Sequence, residues 1–133
     1  MAHVAGVTDY RELDVWKLAD DARRRVLGLT DRPAFERDWW LKSQIRRASH
    51  SACANVAEGF ARYYPREFAR FLHISRGSLA ETCEHLLAAN QAGLVTTTEM
   101  AEIDAILRRA QRAATSLIRY LDRTAAVSKS RER

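Results

Sequence analysis

Turn-forming residues are scarce in this chain: five glycines and two prolines among 133 residues. A β-sandwich or barrel needs a turn signal roughly every 8–12 residues, so an all-β fold is excluded on supply alone. No stretch alternates apolar and polar residues as a half-buried strand does. No apolar run approaches the roughly 20 residues that cross a bilayer as a helix. The opening MAHVAGVTDY lacks the charged start and apolar run of a secretory signal. These absences lead us to expect a cytoplasmic protein. The two cysteines, Cys53 and Cys83, fall inside helical patterns and read as packing thiols of a reducing compartment.

Catalytic groupings are missing as well. A carboxylate-bridged metal site in a helical bundle uses Glu-x-x-His, because that spacing turns both ligands inward. The histidines are His3, His50, His73 and His85, and the residues three before the last three are Arg47, Arg70 and Thr82. No His-Glu-x-x-His, paired Cys-x-x-Cys or glycine-rich phosphate loop occurs. The expectation is therefore no enzyme, no metal and no cofactor.

What remains is helix. The hydrophobic content of 47% is enough for a core, and it is arranged in stripes with steps of three and four. Val15, Ala19, Ala22, Val26 and Leu29 form the first stripe, with Thr8 or Asp9 placed to cap it and Glu12 to complete a capping box. Leu41, Ile45, Ala48, Ala52 and Val56 form the second. It follows a break at Asp31 and Pro33 and runs to Phe60, where Gly59 reads as a stop. Pro65 opens the third, suited to a first turn that needs no amide hydrogen. Phe68, Leu72, Ser75, Leu79 and Leu86 line it, and Gly93 ends it. Gly77 inside it marks either a close helix contact or a bend. Thr96 and Glu99 form a capping box for the fourth, striped by Ile103, Leu107, Ala110, Ala114, Leu117 and Leu121. The fold expected is all-α: an antiparallel up-down four-helix bundle over residues 10–124, after a loose lead-in at 1–9 and before a disordered basic tail at 125–133.

The net charge is +5 and the pI about 9.7, which favours a polyanionic partner. The cations concentrate around the second and third helices: Lys42, Arg46, Arg47, Arg62, Arg66, Arg70 and Arg76. Arg66, Arg70 and His73 share a helical face, as do Lys42, Arg46 and His50. The arginine fork suits phosphate, so these seven are the candidate nucleic-acid contacts. They serve equally well as salt-bridge partners on a solvated face. Tyr63 and Tyr64 can stack on a base, although packing is the commoner role. Asn55, Glu58, Glu67 and Glu81 lie beside apolar stripes and read as a structural polar network, since buried polar groups need partners.

The central residues carry a family likeness. SHSACANVAEGFAR (49–62), REFARFLHISRGSLAE (66–81) and LDVWKLA (13–19) resemble the four-helix bundle proteins encoded within intervening sequences of bacterial 23S ribosomal RNA genes. Two motifs carry most of it: Asn-(apolar)-Ala-Glu-Gly, then Glu-Phe-x-x-Phe-Leu with Arg-Gly-Ser-Leu-x-Glu. The resemblance implies a ring-like homopentamer that binds nucleic acid, RNA before DNA. A similar bundle is the accessory variability determinant of diversity-generating retroelements, which implies a reverse transcriptase as a further partner. The alternative is a protein-interaction scaffold without nucleic-acid affinity. Trp39-Trp40 departs from the family pattern and reads as a thickened local core or a subunit contact.

Overall fold

A computed structural model describes residues 4–62 and 64–131. Among them are four α-helices and no strand: α1 (Asp14–Thr30), α2 (Trp39–Phe60), α3 (Pro65–Gln91) and α4 (Thr97–Arg131). Short 3-10 segments at Tyr10–Glu12 and Pro33–Asp38 precede α1 and α2. Each helix packs on its neighbours in sequence and α4 closes against α1, so the four stripes converge on one core. All the stripe residues of α2 and α3 named above are buried. In α1 and α4 the stripes are right except at their edges: Leu29 and Leu117 are half-exposed, while Ile106 and Ile118 lie inside.

Capping chemistry sets most boundaries. The Asp38 side chain accepts from the Leu41 amide at 3.1 Å and starts α2. The Thr96 hydroxyl accepts from the Glu99 amide at 3.1 Å, and the Glu99 carboxylate accepts from the Thr96 amide at 2.9 Å. This reciprocal box starts α4 as expected. Glu99 also takes the Arg32 guanidinium, and these contacts, Arg32 first, draw its carboxyl down to about 2. Gly93, at φ +75°, ends α3, a conformation only glycine adopts at no steric cost.

Four expectations change. The lead-in is not loose where it is described, since Val4 and Val7 pack against the core cluster of Leu13, Val15 and Leu121; residues 1–3, with His3, fall outside the described residues. Asp9 and Glu12 form no capping box. The Asp9 carboxylate accepts from the Arg11 amide at 2.8 Å and caps the 3-10 turn Tyr10–Glu12, and Leu13, at φ −71° and ψ 134°, turns the chain so that α1 starts only at Asp14, with Leu13 inside. At the other end, α4 runs to Arg131 where a disordered tail was expected from 125. No glycine or proline follows Gly93, Ala125 and Ala126 favour helix, and Lys129 and Arg131 oppose the negative end of the helix dipole; residues 132 and 133 are outside the described range. Finally, the close helix contact falls at Gly59 and not at Gly77. A Cβ on Gly77 would touch nothing within 4 Å, whereas one on Gly59 would lie 2.8 Å from both Phe68 Cδ1 and Phe71 Cβ. Gly59 is the close contact between α2 and α3, not a stop.

Small polar groups seal that α2–α3 contact. Ser75 donates to the Ala52 carbonyl at 2.7 Å within the buried interior. The hydroxyls of Ser51 and Ser78 meet at 3.0 Å. The run of alanine and serine in α2 is therefore what lets α3 approach closely. Phe35, fully buried, plugs the far end together with Leu41, Ala89, Leu94 and Val95.

Candidate nucleic-acid interface

The seven candidate cations do not form one site. Lys42 and Arg46 sit near the start of α2, roughly 24–30 Å from Arg62 at 1.5 Å per residue. Lys42 pairs with Glu36 at 2.7 Å. Arg46 reaches back to α1, donating to Thr30 Oγ1 at 2.7 Å and to Asp31 Oδ1 at 2.8 Å. It ties α2 to the end of α1, so we expect Arg46→Ala to lower stability by about 1.5–3 kcal/mol, the range for a hydrogen bond to a charged group, while leaving RNA affinity intact. A thermal melt beside a binding titration checks both halves. Arg47 is exposed on the same helix.

The other four lie along α3 and the turn before it. Arg62 pairs with Glu58 at 2.6 Å and lies over the Phe71 ring at 4.8 Å, as does Arg70, also at 4.8 Å. Both guanidinium groups are attracted to the same ring, and Arg70 remains exposed. Arg66 is exposed and shares a groove with Lys129 of α4. Arg76 donates to Thr115 of α4 at 3.1 Å and meets His73 Nδ1 at 2.9 Å.

These contacts fix how α3 runs beside α4. Arg66 faces Lys129, Arg76 faces Thr115, and Cys83 faces Gln111, whose amide lies 3.7 Å from its sulfur. Along this antiparallel seam α4 contributes Arg108, Arg112 and Arg119, which line one groove with Gln111, Thr115 and Ser116. Among the described residues none of these three arginines forms a salt bridge. Arg108 and Arg112, four apart, repel by a few tenths of a kcal/mol, a cost that a polyanion would reverse. From Arg108 to Lys129 the seam is about 30 Å long at 1.5 Å per residue. Asp104, near Cys83, ends the positive run.

The α4 arginines are not among the seven candidate cations. Their signal was present as a stripe at positions 108, 112, 115 and 119, but nothing in the sequence said which neighbour that stripe borders. The polar residues Asn55, Glu58, Glu67 and Glu81 occupy separate places. Asn55 donates to the Ser51 carbonyl at 2.9 Å, Glu58 holds Arg62, Glu67 lies half-buried in the first turn of α3, and Glu81 stands 3.9 Å from His85. Tyr64 is 60% exposed; Tyr63 falls outside the described residues. Trp39 and Trp40 are 70% and 60% exposed rather than a thickened core, with Trp40 edge-on to His85 at 6.4 Å.

The reactive side chains are subdued. Burial pushes the thiols of Cys53 and Cys83 up to about 11, and both are free, so at neutral pH they are not thiolates. Among the described residues no group of histidine, cysteine, aspartate and glutamate is placed to hold a metal ion. No described helix is long and apolar enough to cross a membrane.

No curated protein matches the sequence. One family does, over residues 11–116, a span that takes in α1, α2, α3 and the arginine stripe of α4 as far as Arg112. On that match and the four-helix fold, the chain belongs to the 23S rRNA-intervening sequence protein family.

Proposed function

We propose that this protein is a non-enzymatic, homo-oligomeric nucleic-acid-binding protein that grips a phosphate backbone along the α3–α4 seam. RNA is the preferred partner. The observation that carries this reading is the groove of Arg108, Arg112 and Arg119, extended by Arg76 through its bond to Thr115. Three unpaired guanidinium groups on one side of one helix, with phosphate-shaped forks, suit a polyanion better than any small solute. The family's description, which names 23S rRNA, agrees with RNA. No cofactor or metal is needed for such binding. In a ring-like homopentamer the seams would add as a multivalent surface, raising avidity without a new contact. In a retroelement the same surface would hold template RNA beside a reverse transcriptase.

Binding of a labelled structured RNA across a salt series tests this, with the oligomeric state measured in the same buffer. The expected result is tight binding at low salt and a steep linear fall of log affinity with log salt. Failure to bind at low salt would overturn it. The exposed pair Trp39 and Trp40 would then point to the second reading, a protein-interaction scaffold, because exposed tryptophan is typical of protein contacts.

A further inference from the structure

The seam ends at a different kind of surface. There the last turns of α4 pass the start of α3, and Tyr64, Pro65 and Arg66 share a groove with Ala125, Ser128 and Lys129. The groove exists only because α4 continues to Arg131. Its floor is largely apolar, its rim carries two cations, and the Tyr64 ring stands 60% exposed beside it. We infer that this groove takes an unpaired nucleotide of a single strand, with the base against the Tyr64 ring and the flanking phosphates on Arg66 and Lys129. The inference rests on the nucleic-acid reading of the seam and adds to it the class of nucleic acid bound.

Physical chemistry favours a single strand here over a duplex. A duplex hides the faces of its bases, so it can use the cations but not the ring. A single strand can use both, since every base offers a π-face and stacking tolerates any sequence. Pro65 restrains the chain directly after Tyr64, so ordering the ring on binding costs little backbone freedom. Arg66 and Lys129 come from different helices and flank the groove, which places charge along the strand rather than at one point.

Fluorescence anisotropy with a labelled single-stranded oligouridylate and a blunt RNA duplex of equal length tests the inference. Wild type, Tyr64→Ala and Tyr64→Phe are compared at one salt concentration, each checked by its melting curve. The expected result is a preference of wild type for the single strand, a loss of about tenfold in that affinity for Tyr64→Ala, an unchanged duplex affinity, and retention of the preference by Tyr64→Phe. Equal affinity of wild type for both RNAs would overturn the inference and leave the seam in place. So would a Tyr64→Ala loss shared equally between them. Binding of neither RNA at low salt would overturn the inference together with the function on which it rests.

Discussion

Gly59→Ala is expected to destabilise the protein by about 1–2 kcal/mol, although alanine is the better helix former. Two effects oppose each other. Gly59 lies within α2 with no positive φ, so alanine should gain up to about 1 kcal/mol of helix propensity. Against that, its Cβ would sit 2.8 Å from Phe68 Cδ1, 2.8 Å from Phe71 Cβ and 3.2 Å from the Phe68 carbonyl oxygen. Overpacking of this kind costs about 1–3 kcal/mol. Here the upper end applies, because two of the three atoms cannot turn aside: one is a Cβ and one is backbone, both fixed to α3. Relief requires α3 to move, and α3 is held by the buried Ser75 bond to Ala52. The net loss corresponds to a fall of about 5–10 °C in melting temperature. Gly77→Ala is the control. Its Cβ meets nothing within 4 Å, so only the propensity gain acts and the melting temperature should rise. Shortening Phe68 to leucine in the Gly59→Ala background should restore little, since the Phe71 and backbone contacts remain. A Gly59→Ala protein as stable as wild type would mean that the two helices are not packed this closely.

Gly59 also shows where the sequence could be read and where it could not. Periodicity located all four helices because each stripe faces one core, and burial obeys that rule residue by residue in α2 and α3. The capping signal worked at Thr96 with Glu99, where each side chain meets the other's amide three positions away. At Asp9 the cap formed on the short 3-10 turn Tyr10–Glu12 rather than on α1, and Leu13 is buried between the two. Such a choice depends on what lies across the core, which no local pattern records. The same limit applies to the glycines. Gly59 and Gly77 look alike in a sequence, and only the partner helix distinguishes a crowded position from an open one. For the cations, residue type and net charge were legible but pairing was not. Arg46 is one of the candidates, yet its fork is occupied by Thr30 and Asp31. Arg108, Arg112 and Arg119 are not among the candidates, yet they line one groove of α4 and form no salt bridge among the described residues.

Pairing decides the largest functional effect. Reversing Arg108, Arg112 and Arg119 together to glutamate is expected to lower RNA affinity by at least a hundredfold at low salt. The sign follows from counterion release: each phosphate neutralised by a cation contributes about 0.7–0.9 to the slope of log affinity against log salt. Removing three such contacts should flatten that slope by about 2 for each seam engaged, and reversal adds repulsion that salt then screens. The fold should survive, because all three side chains are exposed and two glutamates four apart repel no more than the arginines they replace. Arg66→Glu with Arg70→Glu should act in the same direction but less strongly, since Arg70 is already engaged with the Phe71 ring. Lys42→Glu should hardly change affinity; its charge is met by Glu36 at 2.7 Å. This ordering separates a built surface from a generally basic protein. If affinity followed net charge alone, each reversal at Lys42 would cost as much as each reversal in the seam. Equal losses per charge, measured by a salt series on each variant with its oligomeric state unchanged, would refute the seam as the site. A steep loss confined to the α3–α4 variants would locate the phosphate track on the side of the bundle where α4 lays its unpaired arginines beside α3.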